Sequence, residues 1–363
     1  MDRAERVSDR CERLLSCFEE AGIDLLLVTE LVNVRYLTGY SGSNGLALVG
    51  AGRRTFVTDF RYVEQAAEEV DSGFDRVRAA QDLLEALPEL IPKGQLRLGF
   101  DDLHTTVHDH RRMLELLGGG TELVPAGGLL ERLRAVKEEA EIEQIAAATA
   151  IADAAFESLL AGGLVARTER ELANALEQEM RRLGAEAPSF DSIVAAGPHG
   201  ALPHAQPREV AVQRGDLVVI DWGARLDGYC SDCTRTVAAG EPGEEARAAY
   251  ELVLGAQLAG VEGALAGAAG SDVDATARAV IDAGGEGEYF GHGLGHGVGL
   301  EIHEAPRLSQ RSKDTLQAGN VVTVEPGVYL PGRLGVRIED LLVVQDDGPR
   351  ILTRIDKDLI VSD

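Results

Sequence analysis

Asp221, Asp232, His296, Glu325 and Glu339 are four carboxylates and one imidazole, the donor set that two divalent cations need. Two bridging carboxylates and three terminal ligands would hold such ions about 3.5–4 Å apart, close enough to share a water or hydroxide. Oxygen donors with one imidazole admit manganese, cobalt, iron or zinc; magnesium is poorly matched to a histidine ligand. A water acidified between two ions can attack a carbonyl, and a carboxylate such as Glu325 can take its proton. Nearby histidines can stabilise the oxyanion and help an amine leave. The residue types therefore point to metal-dependent hydrolysis. No Ser or Cys nucleophile is needed, and no G-x-S-x-G is present.

These residues need elements to bring them together. Leu217–Ile220 is nearly continuously apolar, as a buried strand should be, and Asp221 closes it. A turn over 223–228 returns the chain through Tyr229 to Val237, where alternation puts Asp232 with Thr234 and Thr236 on one face. Val321–Val324, closed by Glu325, repeats the device. Pro326-Gly327 turns the chain, and the return carries Arg337 and Glu339 on one face, where Arg337 could steady Glu339 or a substrate. Each copy is preceded by two helical stretches: one with apolar positions from Ile142 to Leu159, stopped by Gly162-Gly163, with Glu169–Arg182, then Glu244–Leu265 with Val273–Ile281. Two helices followed by strands, twice, with an acid pair in each copy, indicate an internal duplication. Between the copies, Gly291 to Glu304 holds five glycines and three of the eight histidines, His292, His296 and His303. It contains no phosphate-cradling spacing. Its glycines are expected to let backbone approach a metal or substrate.

The preceding part alternates strands (Ile23–Thr29, Gly45–Val49, Arg54–Thr58, Leu96–Phe100) with helices (Arg61–Val70, Asp82–Leu90), the pattern of a small α/β domain. Glycines at 118–120 and 127–128 punctuate its end, giving an N-terminal domain over 1–128 and a catalytic domain over 129–363. A net charge of −26 argues against nucleic acid and against an anionic membrane surface. No apolar run reaches the roughly 20 residues of a membrane span, and no secretory leader is evident, so a cytoplasmic protein is expected. Cys230-Ser-Asp-Cys233 falls in a strand-like stretch rather than at a helix start, which speaks against redox chemistry.

At these residues the chain resembles the pita-bread metallopeptidases, in their proline-directed branch of aminopeptidase P and prolidase. The motifs are an S-D-x-T-R-T around Asp232, the H-G-x-G-H-G-x-G-L-x-x-H-E of 292–304, the E-P-G-x-Y of 325–329 and the R-x-E-D of 337–340. The resemblance implies a pseudo-twofold catalytic domain, two manganese ions and a homodimer. It implies that Asp221 and Asp232 bind one ion and His296 the other, that Asp232 and Glu339 bridge, and that Glu325 is both ligand and general base. It places His204, His292 and His303 at the substrate, with Tyr329 and Arg337 supporting them. Proline-containing peptides are then the substrates. The 36–45 stretch resembles that of bacterial aminopeptidase P, so release of the first residue from Xaa-Pro peptides is expected, with Xaa-Pro dipeptidase as the alternative. A dipeptidase needs a cation for the proline carboxylate, and Arg35, Arg61 and Arg337 are the candidates. A pita-bread binding protein without activity is the remoter alternative, and the intact ligand set speaks against it.

Overall fold

The computed structural model describes residues 3–362. It forms two compact units, Met1–Arg134 and Ala135–Asp363. The division falls after Arg134 rather than after Gly128. The helix Leu129–Ala135 buries Leu129 and Leu130, and Arg134 donates to Asn33 Oδ1 at 2.8 Å, which ties it to the first unit.

The first unit is built on a six-stranded mixed sheet. Leu25–Val28 runs antiparallel to Leu46–Gly50 and parallel to Leu96–Phe100. Apolar residues of these strands, such as Leu27, Leu48 and Leu98, share a core with Leu87 and Met113. Two strands, Asp75–Ala79 and Thr121–Pro125, were not expected from sequence. They are the sheet's edges and only partly buried, so they lack the apolar runs that mark a buried strand. The helix Leu31–Thr38, which ends at Gly39 with φ 80°, was likewise unexpected.

In the second unit the helix Glu139–Ala161 buries Ile142, Ile145, Ala152 and Phe156 on one face. It does have the length and composition of a membrane span, contrary to the sequence expectation. Its apolar face is instead spent inside the protein: Phe156 stacks on Trp222 at 4.2 Å, and the Trp222 indole donates to Ala152 O at 2.9 Å. The next helix, Glu169–Arg182, starts on a capping box in which Thr168 and Glu171 satisfy each other's backbone N–H. The second helical pair is Glu244–Gly263 and Gly270–Ala283.

Each pair leads into the same strand–hairpin–strand device. In the first copy Leu217–Trp222 is followed by the hairpin Ala224–Leu226 with Tyr229–Cys230, then by Cys233–Ala239. In the second, Val321–Val324 is followed by Gly327–Leu330 with Leu334–Arg337, then by Asp340–Val343. Both outer pairs are antiparallel, with Trp222 opposite Cys233 and Val324 opposite Asp340. The first hairpin turns at Asp227-Gly228, both with positive φ, the geometry that suits the twist of a two-residue hairpin. Asp232 and Glu339 each sit one residue before the returning strand, so Asp232 lies just outside the strand expected to contain it.

Candidate metal centre

The two copies bring all five candidate ligands to one place. Asp221, Asp232 and Glu339 offer carboxylate oxygens that lie within 4.8 Å of one another. His296 Nε2 is 3.6 Å from Asp232 Oδ2 and 3.3 Å from Glu325 Oε1. His296 Nδ1 lies 3.1 Å from the carbonyl of Gly297, which can only accept, so Nδ1 carries a proton; Nε2 meets the carboxylates as a donor when the ring is charged, and is the nitrogen that could take a cation when the ring is neutral.

The donor set fits cations. Asp221 Oδ1 and Glu339 Oε1 are buried without a hydrogen-bond partner among the described residues. An unsatisfied buried group of this kind costs about 1–3 kcal/mol or more. Burial first, then the charges of Glu339, Asp221 and Glu325, push the Asp232 carboxyl well above its usual range. Burial, then Glu325 and Asp221, do the same to Glu339. Acids crowded this closely cannot all carry charge without cations among them. Burial would raise Glu325 too, but the hydrogen bond and charge of His296, helped by His292 and Arg337, outweigh it and bring Glu325 down to about 2.

Arg337 does not steady Glu339, as sequence alternation suggested. It donates to Asp221 Oδ2 at 2.7 Å, Thr234 Oγ1 at 3.0 Å, Tyr329 Oη at 2.7 Å and Pro203 O at 3.2 Å. Glu339 is instead met by Thr234 Oγ1 at 2.7 Å. Tyr329 stands behind the cavity, between Arg337 and His292 Nε2 at 3.0 Å, rather than in its wall. His292 Nδ1 lies 2.8 Å from Gly293 O, so the proton sits there and the tyrosine hydroxyl donates to Nε2. Burial keeps the His292 pKa below its usual value.

The glycines of 291–299 have a different use from the one expected. A Cβ on Gly295 would lie 2.0 Å from Thr323 O, and one on Gly297 2.2 Å from Ala305 O. They let the short strand bearing His296 fit tightly between its neighbours, and so set the imidazole against the carboxylates.

A cavity of about 500 Å³ opens over the centre, room for a small peptide. His204, His292 and His303 line it with the five candidate ligands and Arg337. His303 meets the His296 ring edge-on at 4.4 Å. Partial desolvation, then the charges of His296 and Arg307, push its pKa down to about 4. Two contributors escaped the sequence reading. Thr323 Oγ1 accepts from His296 N at 3.1 Å and donates to Glu325 Oε1 at 3.2 Å; its place two residues before Glu325 on an alternating strand was the available signal. Arg307 lines the cavity from the exposed face of Glu304–Leu308, paired in register with His296. Arg61, by contrast, is taken by Asp59 at 2.8 Å.

Comparison with known proteins gives the family. Residues 143–346 match the profile of metallopeptidase family M24, and 10–136 that of the Creatinase/Prolidase N-terminal domain. A solved Xaa-Pro dipeptidase from Bacillus anthracis is 43% identical, with TM-score 0.93 over 98% of this chain and 99% of that one. A solved X-Pro aminopeptidase from Thermotoga maritima is 36% identical, with TM-score 0.89 over 97% and 100%. The Xaa-Pro dipeptidase of Pyrococcus furiosus is 37% identical over 98% of this chain and 100% of its own length.

Proposed function

The chain belongs to metallopeptidase family M24, in its proline-directed pita-bread branch, and on that premise we propose that it is an Xaa-Pro dipeptidase. The observation that carries the choice is Arg307. Among the described residues it is the arginine of the cavity wall with no side-chain hydrogen bond or ion pair, whereas Arg337 is buried against Asp221, Thr234, Tyr329 and Pro203. A guanidinium there suits the free carboxylate of a C-terminal proline. The names of the Bacillus and Pyrococcus relatives point the same way. Aminopeptidase action, favoured by the 36–45 stretch alone, becomes the second reading, supported by the Thermotoga relative.

Asp221, Asp232, His296, Glu325 and Glu339 would hold two divalent ions, for which we propose manganese on the oxygen-rich donor set. Such ions supply an acidified water and a polarised carbonyl. Glu325 would accept the proton of the attacking water, and the cationic groups about it favour the ionised carboxylate that this needs. Arg337 fixes Asp221, and Thr234 fixes Glu339, so that neither carboxylate turns as charge moves. His204 and His303, in the wall, would serve the substrate carbonyl and the proline nitrogen, which leaves as a secondary amine and needs a proton. His292 is kept neutral by burial and oriented by Gly293 and Tyr329.

The test is to offer the manganese-loaded protein Ala-Pro and Ala-Pro-Ala side by side and follow released alanine. Faster release from Ala-Pro is expected, and Arg307→Ala should cut kcat/KM for the dipeptide about 10- to 100-fold while sparing the tripeptide. Preference for the tripeptide would make the protein an aminopeptidase; no release from either would favour a binding protein.

A further inference from the structure

His204 and His292 sit on irregular chain rather than on strands. Irregular chain is a poor platform for a group that must be placed within about 0.5 Å. In each half of the second unit, one fully buried carboxylate grips the segment. Asp274, on the helix Gly270–Ala283, accepts Arg278 Nε at 2.9 Å and Nη2 at 3.0 Å, and the backbone N–H of Leu294 at 3.0 Å. Arg278 passes the grip on, donating to Phe290 O at 2.8 Å and His292 O at 2.9 Å. Its guanidinium covers the Phe290 ring at 4.1 Å, and that ring meets His292 edge-on at 5.1 Å. Backbone is thus held on both sides of His292, while its imidazole stays free for Tyr329.

Glu169 does the same for His204 from the helix Glu169–Arg182. It accepts the backbone N–H of Ala196 at 3.0 Å and of Arg208 at 2.9 Å, and the Arg208 guanidinium at 3.1 and 3.0 Å. His199 Nδ1 lies 3.0 Å from both of its oxygens. Ala196 and Arg208 bracket the loop that brings Pro203, His204 and Gln206 to the cavity. Both sit on the second helix of their pair, Glu169 as its first residue and Asp274 as its fifth, so the two halves reach the same kind of grip from different positions. Neither lines the cavity, and neither can touch substrate.

We infer that Asp274 with Arg278, and Glu169 with Arg208, are paired positioning residues of the hydrolysis, each acting on turnover through the one histidine whose segment it holds. This rests on His292 and His204 taking part in the reaction proposed above. A pair that only supported folding would lower stability, and its effect on turnover would not depend on which histidine is present.

A double-mutant cycle separates the two. On the manganese-loaded full chain, kcat and KM for Ala-Pro are measured in wild type, Arg278→Gln, His292→Ala and the double variant, with bound manganese counted in each. Arg278→Gln should lower kcat about 10- to 100-fold with KM and metal content little changed. In the His292→Ala background the same change should cost less than about twofold. Losses that multiply, or Arg278→Gln at wild-type turnover, overturn the positioning role alone. Wild-type turnover in His292→Ala overturns the reading of the site and this inference with it. Glu169→Gln against His204→Ala is a second cycle with the same criteria, and it decides the matter if the Arg278 variants do not fold.

Discussion

In the first half of the catalytic unit, Leu217–Trp222 delivers Asp221 to a permanent cation, Arg337, at 2.7 Å; in the second, Val321–Val324 delivers Glu325 to an imidazole, His296, at 3.3 Å. The backbone device is the same, so the duplication accounts for where the acids are. Their partners account for what each can do. Arg337 fixes Asp221 in place, but burial outweighs its charge and raises the Asp221 carboxyl. Glu325, with His296, His292 and Arg337 about it, is the carboxylate held ionised, as a base must be. The cross-connections also differ: Arg337 and Glu339 of the second half reach Asp221 and Thr234 of the first, so the centre is complete only when both halves are docked.

Removing an acid proposed to bridge the two ions should have the largest effect. Asp232→Ala is expected to lose manganese and at least about 10³-fold in turnover, read by metal content and Ala-Pro hydrolysis. Retention of both ions would remove the shared centre. Glu325→Gln breaks the comparison on one side only. It should lose most of kcat, about 10²–10⁴-fold, while the fold melts much as wild type. Wild-type turnover in that variant would end the assignment of Glu325 as base.

The smallest effect is on stability. Asp153 and Gln257, on the first helix of each pair, each have a buried oxygen with no hydrogen-bond partner among the described residues. Burial raises the Asp153 carboxyl from 3.8 to about 6. A group raised on folding stabilises fully below its unfolded pKa, and that contribution is lost as pH rises through the folded value. Wild type should therefore lose stability between about pH 4 and pH 7, while Asp153→Asn, which removes the titrating group, should not show that share of the loss. The gap should reach about 1–3 kcal/mol near neutrality. Parallel melting curves across that range would contradict it.

Much of this was legible in the chain because the signals were local. Gly162 and Gly163 mark the stop after Ala161, the alternation and closing acids of the two strands located Asp221 and Glu325, and repetition of the pattern implied that they meet. What was not legible depended on contacts across the fold. Arg337 chose Asp221 over its own neighbour Glu339 because the first half approaches it, which alternation along one strand cannot reveal. Arg307 gave no signal beyond lying on an alternating strand, and its value comes from facing His296 in register. Asp75–Ala79 and Thr121–Pro125 escaped because sheet edges need few apolar residues.

The most direct test of the account is the number of manganese ions bound per chain at saturation, by equilibrium dialysis, with Ala-Pro turnover measured at each point. Two ions per chain, with turnover following occupancy, is the predicted result. Full turnover with no bound ion, or saturation at one, would contradict a centre built from both halves.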